Sequence, residues 1–77
     1  MEVKVLFFGV LAEVTKTAGK HYSDVNSLSH LKTRIQEDYP EIVHYNYRVS
    51  VNNEIINNDP LLADGDEIAL MPPFSGG

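Results

Sequence analysis

The amino-acid sequence predicts an α+β fold in which a mixed sheet packs against one main helix. Three observations lead to this prediction: an apolar, β-branched segment opens the chain, a helical stripe occupies its middle, and a hairpin with a last strand follows. The 77 residues correspond to one domain with a modest core. We expect this domain at residues 1–71 and a flexible C-terminal tail at residues 72–77.

The first strand is predicted at residues 2–8, which are rich in valine, leucine and phenylalanine. Successive side chains of a strand point to opposite faces. The two expected sets are Val3, Val5 and Phe7 on one face, and Lys4, Leu6 and Phe8 on the other. The second face is therefore unusually apolar for a surface that carries a lysine.

A short helix and a second strand are predicted next. The apolar residues at helical spacing are Val10, Leu11, Val14 and Ala18. Gly19 is placed to end this helix in the left-handed conformation. Residues 20–25 are predicted to form a polar strand antiparallel to the first one.

The main helix is predicted to begin at a cap provided by Asn26 or Ser27. Its apolar stripe consists of Leu28, Leu31, Ile35 and Tyr39. Pro40 ends the helix because proline restricts the backbone of the residue before it. Residues 41–47 show no clear period and are interpreted as a loop that can hold a short helical turn.

A hairpin is predicted from residues 48–52 and 54–57. Its turn is Asn52-Asn53, because asparagine tolerates the positive φ of a tight turn. The side chains expected to face the core are Val49 and Val51. A strong turn signal at residues 64–66 precedes the last strand.

The last strand is predicted at residues 67–71, with Ile68 and Leu70 on one face. The complete order of strands and helices is that of the β-grasp, or ubiquitin-like, fold. If the first and last strands are neighbours, an apolar patch forms on the uncovered face near the tail. Its members would be Leu6, Phe8, Ala69 and Met71.

The tail is predicted to carry the chemistry of this chain. Pro72 and Pro73 lack backbone donors, so they stop strand pairing and favour a stiff, extended exit. Gly76 and Gly77 have no Cβ and make the end thin and pliable. The last four residues can reach roughly 13 Å into a partner. The terminal carboxylate, with a pKa of ~3.5, must become an acyl-adenylate or similar ester before it reacts, which implies a separate ATP-using enzyme.

Three motifs carry a resemblance to a known family that extends over the whole chain. They are Val5-Leu6-Phe7-Phe8-Gly9 with the following helix, Asp64-Gly65-Asp66-Glu67-Ile68, and Pro72-Pro73-Phe74-Ser75-Gly76-Gly77. With these motifs the chain resembles the small, sulfur-carrying subunit of molybdopterin synthase. It departs from related carriers at Asn52-Asn53, where they often have Asn-Gly. That difference concerns the turn and not the chemistry.

The resemblance implies a role for each residue of the tail. Gly77 would be adenylated by a ubiquitin-activating-like adenylyltransferase that uses ATP, and a sulfur donor system would then convert it into a thiocarboxylate. Gly76 would give access to the terminus. The arm that enters the large subunit would consist of Pro72, Pro73, Phe74 and Ser75. Sulfur would pass there to cyclic pyranopterin monophosphate.

The resemblance also implies a partner surface and an assembly. Leu6, Phe8 and Met71 would dock on the large subunit, which would supply the catalytic side chains. The family suggests a heterotetramer of two small and two large subunits. We expect no cofactor bound to the chain itself.

Composition and spacing disfavour several other functions. Eleven acidic and six basic residues give a net charge of −5, which disfavours nucleic acid and suits either a basic protein partner or simple solubility. Without cysteine there is no thiolate nucleophile or zinc–thiolate site. The three histidines show no metal-ligand spacing, and no serine-nucleophile motif occurs. No membrane-length apolar run or signal-peptide pattern is present, so we expect a cytoplasmic location without membrane contact.

Two alternatives stay open at this point. A sulfur carrier for another product, such as the thiamin thiazole, would share the Gly-Gly end, although such carriers tend to be shorter and to lack Pro-Pro-Phe-Ser. A ubiquitin-like protein modifier or a plain interaction module would share the β-grasp layout. A modifier would form isopeptide conjugates through Gly77, whereas a plain module would keep its activity without the last two residues.

Overall fold

The computed structural model of the chain describes residues 2–73. Along this part of the chain the elements are β1 (Glu2–Phe7), α1 (Val10–Thr15), β2 (Gly19–Ser23), α2 (Leu28–Asp38), a 3-10 helix (Pro40–His44), β3 (Arg48–Val51), β4 (Glu54–Ile56) and β5 (Glu67–Met71). The order confirms the predicted α+β layout. Within these residues, no helix is long and apolar enough to cross a membrane.

The described strands form one mixed sheet in the order β2-β1-β5-β3-β4. Strands β1 and β5 are parallel neighbours, whereas β1 with β2, β3 with β5, and β3 with β4 pair antiparallel. Parallel strands need a crossover connection, and here the chain between β1 and β5 includes α2, which covers one face of the sheet. This arrangement is the predicted β-grasp.

The core lies between the sheet and α2. The helix begins after Ser27, whose hydroxyl accepts a hydrogen bond from the backbone N–H of His30 at 3.2 Å, so Ser27 and not Asn26 is the cap. The buried residues of α2 are Leu28, Leu31 and Ile35. The strand residues buried in the same core are Val3, Val5, Phe7, Tyr22, Val49, Ile68 and Leu70. Burying each large aliphatic side chain contributes about 1.5–3 kcal/mol, so this stripe fixes the helix on the sheet.

Helix α1 is shorter than the sequence predicted. It ends at Thr15 with Lys16 as a left-handed C-cap (φ 61°), whereas the sequence placed the end at Gly19. The carbonyl of Ala18 accepts a hydrogen bond from the backbone N–H of Phe7 at 2.9 Å, so sheet pairing occupies residues that a longer helix would need. Gly19 is instead the first residue of β2, which ends at residue 23 and not at residue 25.

The hairpin turn forms as predicted. Asn52 and Asn53 both have positive φ, at 51° and 72°. The Asn52 side chain donates to Asp66 Oδ1 at 2.9 Å and accepts from the backbone N–H of Glu67 at 3.0 Å. This asparagine therefore ties the β3–β4 turn to the turn that precedes β5.

An ion pair joins the edge strand β2 to the end of α2. Lys20 Nζ and the Tyr22 hydroxyl each donate to Asp38 Oδ2 at 2.7 Å. These two hydrogen bonds lower the pKa of the Asp38 carboxyl, and the bond to Asp38 raises the pKa of Lys20. The Lys20 ammonium also lies 5.1 Å from the centroid of the Tyr22 ring, within cation–π range. The pair therefore links the edge of the sheet to the helix on the protein surface.

We expect Asp38→Asn to lower the free energy of unfolding at pH 7 by about 0.5–1 kcal/mol, because the pair is solvent-screened. A depressed folded-state pKa stabilises the fold above the unfolded pKa, and this stabilisation is lost as the pH falls through the folded-state pKa. The stability difference between Asp38→Asn and the wild type should therefore become smaller as the pH falls below 3.8, the ordinary pKa of an aspartate carboxyl. Urea unfolding at neutral and acidic pH measures it.

Glu37→Gln is the control, since it removes one charge from the neighbouring residue. Glu37 makes no side-chain hydrogen bond or ion pair with residues 2–73. Equal stability of Asp38→Asn and Glu37→Gln at pH 7 would contradict the proposed contribution of the pair.

Candidate functional site

The face of the sheet opposite α2 is open, and its two ends differ in polarity. A polar row crosses β2, β1 and β5 through the register partners His21, Lys4 and Glu67. The next row toward the C-terminal end of β5 consists of Gly19, Leu6, Ala69, Ser50 and Ile55. The apolar end of the face is thus the end from which the chain leaves β5 toward its tail.

The predicted apolar patch is assembled at this end. We call Leu6, Phe8, Ala69 and Met71 the open-face patch. Leu6 and Ala69 are register partners, and the backbone N–H of Phe8 donates to the Leu70 carbonyl at 3.0 Å, which continues the β1–β5 pairing. The Phe8 side chain remains 45% exposed, although that of the preceding residue, Phe7, is buried. An exposed aromatic side chain among half-buried apolar neighbours is typical of a contact surface.

Ile55 extends this surface and was not singled out from the sequence. It is the register partner of Ser50, which in turn pairs with Ala69, so Ile55 lies in the same row as the patch. Its side chain is 41% exposed. The Asn52-Asn53 turn fixes this register, and applying it to β4 would have placed Ile55 on the open face.

The root of the tail is held by a close approach between two segments. Pro72 follows β5 and lies against Gly9, where an added Cβ would be only 2.8 Å from Pro72 Cγ. Gly9 has φ 57° and ψ −134°, a conformation that other residues rarely adopt. The sequence did not identify Gly9 as part of the site. Its missing side chain lets the tail leave the sheet beside the end of β1.

Phe74, Ser75, Gly76 and Gly77 lie outside the described residues, so the roles predicted for them stay predictions. The structure does place Pro72 and Pro73 directly after β5, with Pro73 exposed. In residues 2–73, no cluster of three or more His, Asp and Glu side chains is suited to hold a metal ion. At this end of the sheet the described residues thus provide the open-face patch and the exit of Pro72 and Pro73 from β5.

The acidic residues before β5 form hydrogen bonds that stabilise the fold. Asp64 Oδ1 accepts from the backbone N–H of Glu2 at 2.7 Å, and Asp66 Oδ2 accepts from that of Ala63 at 2.8 Å. These bonds connect the turn to the start of β1 and close the turn itself. They explain the Asp-Gly-Asp sequence without a bound ion.

Comparison of the sequence with known proteins identifies a matching family and a related protein. The sequence model of the ThiS family matches residues 5–77. The chain is 30% identical over 82 aligned residues to a molybdopterin synthase sulfur carrier subunit from Mycobacterium tuberculosis, with 100% of this chain and 99% of the relative covered.

Solved structures agree with the fold. One is a chain from the protein–protein complex of subunits 1 and 2 of molybdopterin-converting factor from Helicobacter pylori, at 32% identity and a TM-score of 0.75, with 100% of both chains covered. Another is the small archaeal modifier protein 1 from Methanosarcina acetivorans, at 25% identity and a TM-score of 0.84, with 99% of this chain and 96% of that chain covered. Both similarities extend over the full β-grasp.

We expect Gly9→Val to destabilise the fold by about 1–3 kcal/mol, because it combines a β-branched residue at positive φ with a contact against Pro72. Gly65→Val is the matched control: its φ is also positive, at 84°, but nothing lies within 4 Å of an added Cβ. Urea unfolding measures both variants. The additional loss of unfolding free energy in Gly9→Val, relative to Gly65→Val, measures the effect of the Pro72 contact.

Pro72→Ala in the Gly9→Val background should recover part of that excess, because it removes the ring atoms that the new side chain meets. Equal losses in Gly9→Val and Gly65→Val, with no recovery in the double variant, would show that the approach of Pro72 to Gly9 is unimportant.

Proposed function

The chain belongs to the ThiS family, and from this premise we propose that it is the sulfur carrier subunit of a molybdopterin synthase. The observation that carries the proposal is the full-length similarity to a sulfur carrier subunit of that enzyme, at 30% identity. The family match extends to Gly77, so it includes the tail as well as the β-grasp domain. The open-face patch and the root of the tail supply the surfaces that such a carrier needs.

The proposed chemistry takes place at the carboxylate of Gly77. A carboxylate is a poor electrophile, so an ATP-using adenylyltransferase first forms an acyl-adenylate and releases pyrophosphate. Sulfide from the sulfur donor then attacks the carbonyl carbon, the bond from that carbon to the AMP oxygen breaks, and a thiocarboxylate remains. The thiocarboxylated tail enters the large subunit, where its sulfur bonds to cyclic pyranopterin monophosphate. Water then cleaves the bond between this sulfur and the Gly77 carbonyl carbon and restores the carboxylate. Groups for proton transfer would come from the large subunit.

In the proposed mechanism, the described residues direct the tail away from the sheet and provide a contact surface beside it. Pro72 and Pro73 provide no backbone donors, so β5 cannot continue pairing and the chain is directed away from the sheet. The open-face patch lies beside that exit and offers an apolar contact area to the protein that receives the tail. We propose the large subunit as this partner, in a cytoplasmic assembly of two small and two large subunits. The structure from H. pylori, a complex of two molybdopterin-converting factor subunits, supports the choice of partner.

A ubiquitin-like protein modifier is the second candidate. The similarity to the small archaeal modifier protein 1 from M. acetivorans, at 25% identity and a TM-score of 0.84, favours it. Both functions need an activated Gly77, but they differ in the nucleophile that attacks it. Sulfur yields a thiocarboxylate, whereas a lysine amine yields an isopeptide bond.

Intact-mass measurement after incubation with the activating enzyme, ATP and a sulfur donor tests the proposal. We expect the wild type to exchange one oxygen atom for sulfur and to convert cyclic pyranopterin monophosphate when the large subunit is added. Deleting Gly77, or adding one residue after it, should abolish the exchange and the conversion while leaving the fold intact. Sulfur transfer by either variant would contradict the proposal. Higher-mass conjugates without conversion of the pterin would favour the modifier.

A second prediction concerns the open-face patch. Phe8→Asp should weaken binding to the large subunit by about tenfold or more, because it places an unpaired charge in an apolar contact. Isothermal titration calorimetry measures this change. Val43→Asp is the control, since Val43 is also an exposed apolar residue but lies on the 3-10 helix. Equal affinities of the two variants would remove the patch from the proposed interface.

A further inference from the structure

A groove lies at the edge of the sheet beside the root of the tail. It has a volume of about 530 Å³ and is lined by residues of α2, of the segment before β3, and of β3 and β4. Pro73 forms part of its wall. The groove therefore begins where the described part of the tail ends.

The charge of this groove is opposite to that of the protein as a whole. Lys32 and Arg48, two of the six basic residues of the chain, line it. No Asp or Glu is among the described residues that form its wall, although the chain has 11 of them. The groove is thus a local cationic site on a protein with a net charge of −5.

The positive charges of Arg48 and Lys32 differ in how far nearby acidic groups of the protein already neutralise them. Arg48 is exposed and makes no ion pair with the described residues. Lys32 lies near Asp59: hydrogen bonds from Ser29 lower the pKa of the Asp59 carboxyl, and the Lys32 ammonium adds to that effect. Arg48 is therefore the more available partner for an external anion.

The rest of the lining fits an acidic peptide segment. The amides of Asn46, Asn57 and Asn58 can donate to carboxylate or carbonyl oxygens. Tyr47 and Ile55 provide apolar walls for a neighbouring side chain. An arginine fork binds a carboxylate through two parallel hydrogen bonds, which would orient the segment.

The position of the groove indicates which protein supplies that segment. Arg48 is the register partner of Met71, and Ile55 lies in the row of Leu6 and Ala69, so the groove is continuous with the open-face patch. A protein that covers the patch would therefore lie beside the groove. Small ligands favour enclosed, mostly apolar pockets, whereas this groove is open and polar.

We propose that the groove binds an acidic segment of the large subunit, with a carboxylate on Arg48 and Lys32 and an apolar side chain against Tyr47 and Ile55. This proposal rests on the proposed function, because that function identifies the receiving protein. The contact would set the orientation of the domain on its partner while the tail enters the partner. It adds an electrostatic contact to the apolar one made by the patch.

Calorimetric titration of the full chain with the large subunit, at low and high salt, tests the groove. We expect Arg48→Glu to raise the Kd at least tenfold, and Lys32→Glu to raise it about threefold because Asp59 already offsets part of its charge. Arg48→Lys keeps the charge but loses the fork, so it should raise the Kd by less than Arg48→Glu does and by more than Lys16→Glu does. Lys16→Glu, which makes the same charge change outside the groove, should stay within twofold of the wild type. The salt dependence should weaken in Arg48→Glu.

The outcomes separate this proposal from the proposed function. If the wild type does not bind the large subunit, both fail. If the wild type binds and Arg48→Glu matches Lys16→Glu, only the groove proposal fails.

NMR titrations of the chain alone identify other occupants. We expect the Arg48 and Lys32 side-chain signals to stay unchanged when residues 74–77 are removed and to show no saturable shift with inorganic phosphate. A change on removal would assign the groove to the chain's own tail. A saturable phosphate shift, with the affinity of Arg48→Glu for the large subunit unchanged, would assign it to a small anion. Either result would overturn the proposal.

Discussion

The parallel pairing of β1 with β5 is the interaction on which the rest of this structure depends. It joins the first strand of the chain to the last, with Val5 opposite Ile68 and Phe7 opposite Leu70. Two parallel neighbours need a connection that crosses the sheet, and α2 lies in that connection. The same pairing brings the residues after β5 beside Gly9, where Pro72 packs. One set of backbone hydrogen bonds thus determines the position of the core, the open face and the root of the tail.

The two faces of the β1–β5 pair have different roles, although the side chains of both faces alternate along the same two strands. One face is buried under α2 and stabilises the fold. The other keeps Phe8 exposed close to the point where the chain leaves the sheet. Burying Phe8 in a contact with another protein would recover apolar area that the isolated domain leaves in water. An apolar surface next to the tail and a cationic groove at its side give a partner two kinds of contact around one exit.

Several polar side chains of the described residues serve the structure of the domain. Asp64, Asp66 and Asn52 close or join turns, and Asp38 links β2 to α2. This use agrees with the proposal that the reactive atom belongs to the backbone terminus and that catalytic side chains belong to the receiving subunit. A small domain can then act as a carrier while its side chains remain committed to folding and docking.

Much of the fold and the composition of the patch followed from the sequence alone, because alternation in strands, the helical stripe and the Asn52-Asn53 turn are local signals. The tail residues, including Gly77, were likewise identified by their chemistry, and their roles stay predictions. Local signals failed at α1, where pairing of Ala18 with Phe7 ended the helix before Gly19. Only the tertiary structure placed Ile55 beside the patch, Pro72 against Gly9, and Lys32 and Arg48 in one groove. These contacts join residues far apart in the chain. Their geometry depends on strand order and on the pairing of β5 with β1 and with β3, which no short stretch of sequence encodes.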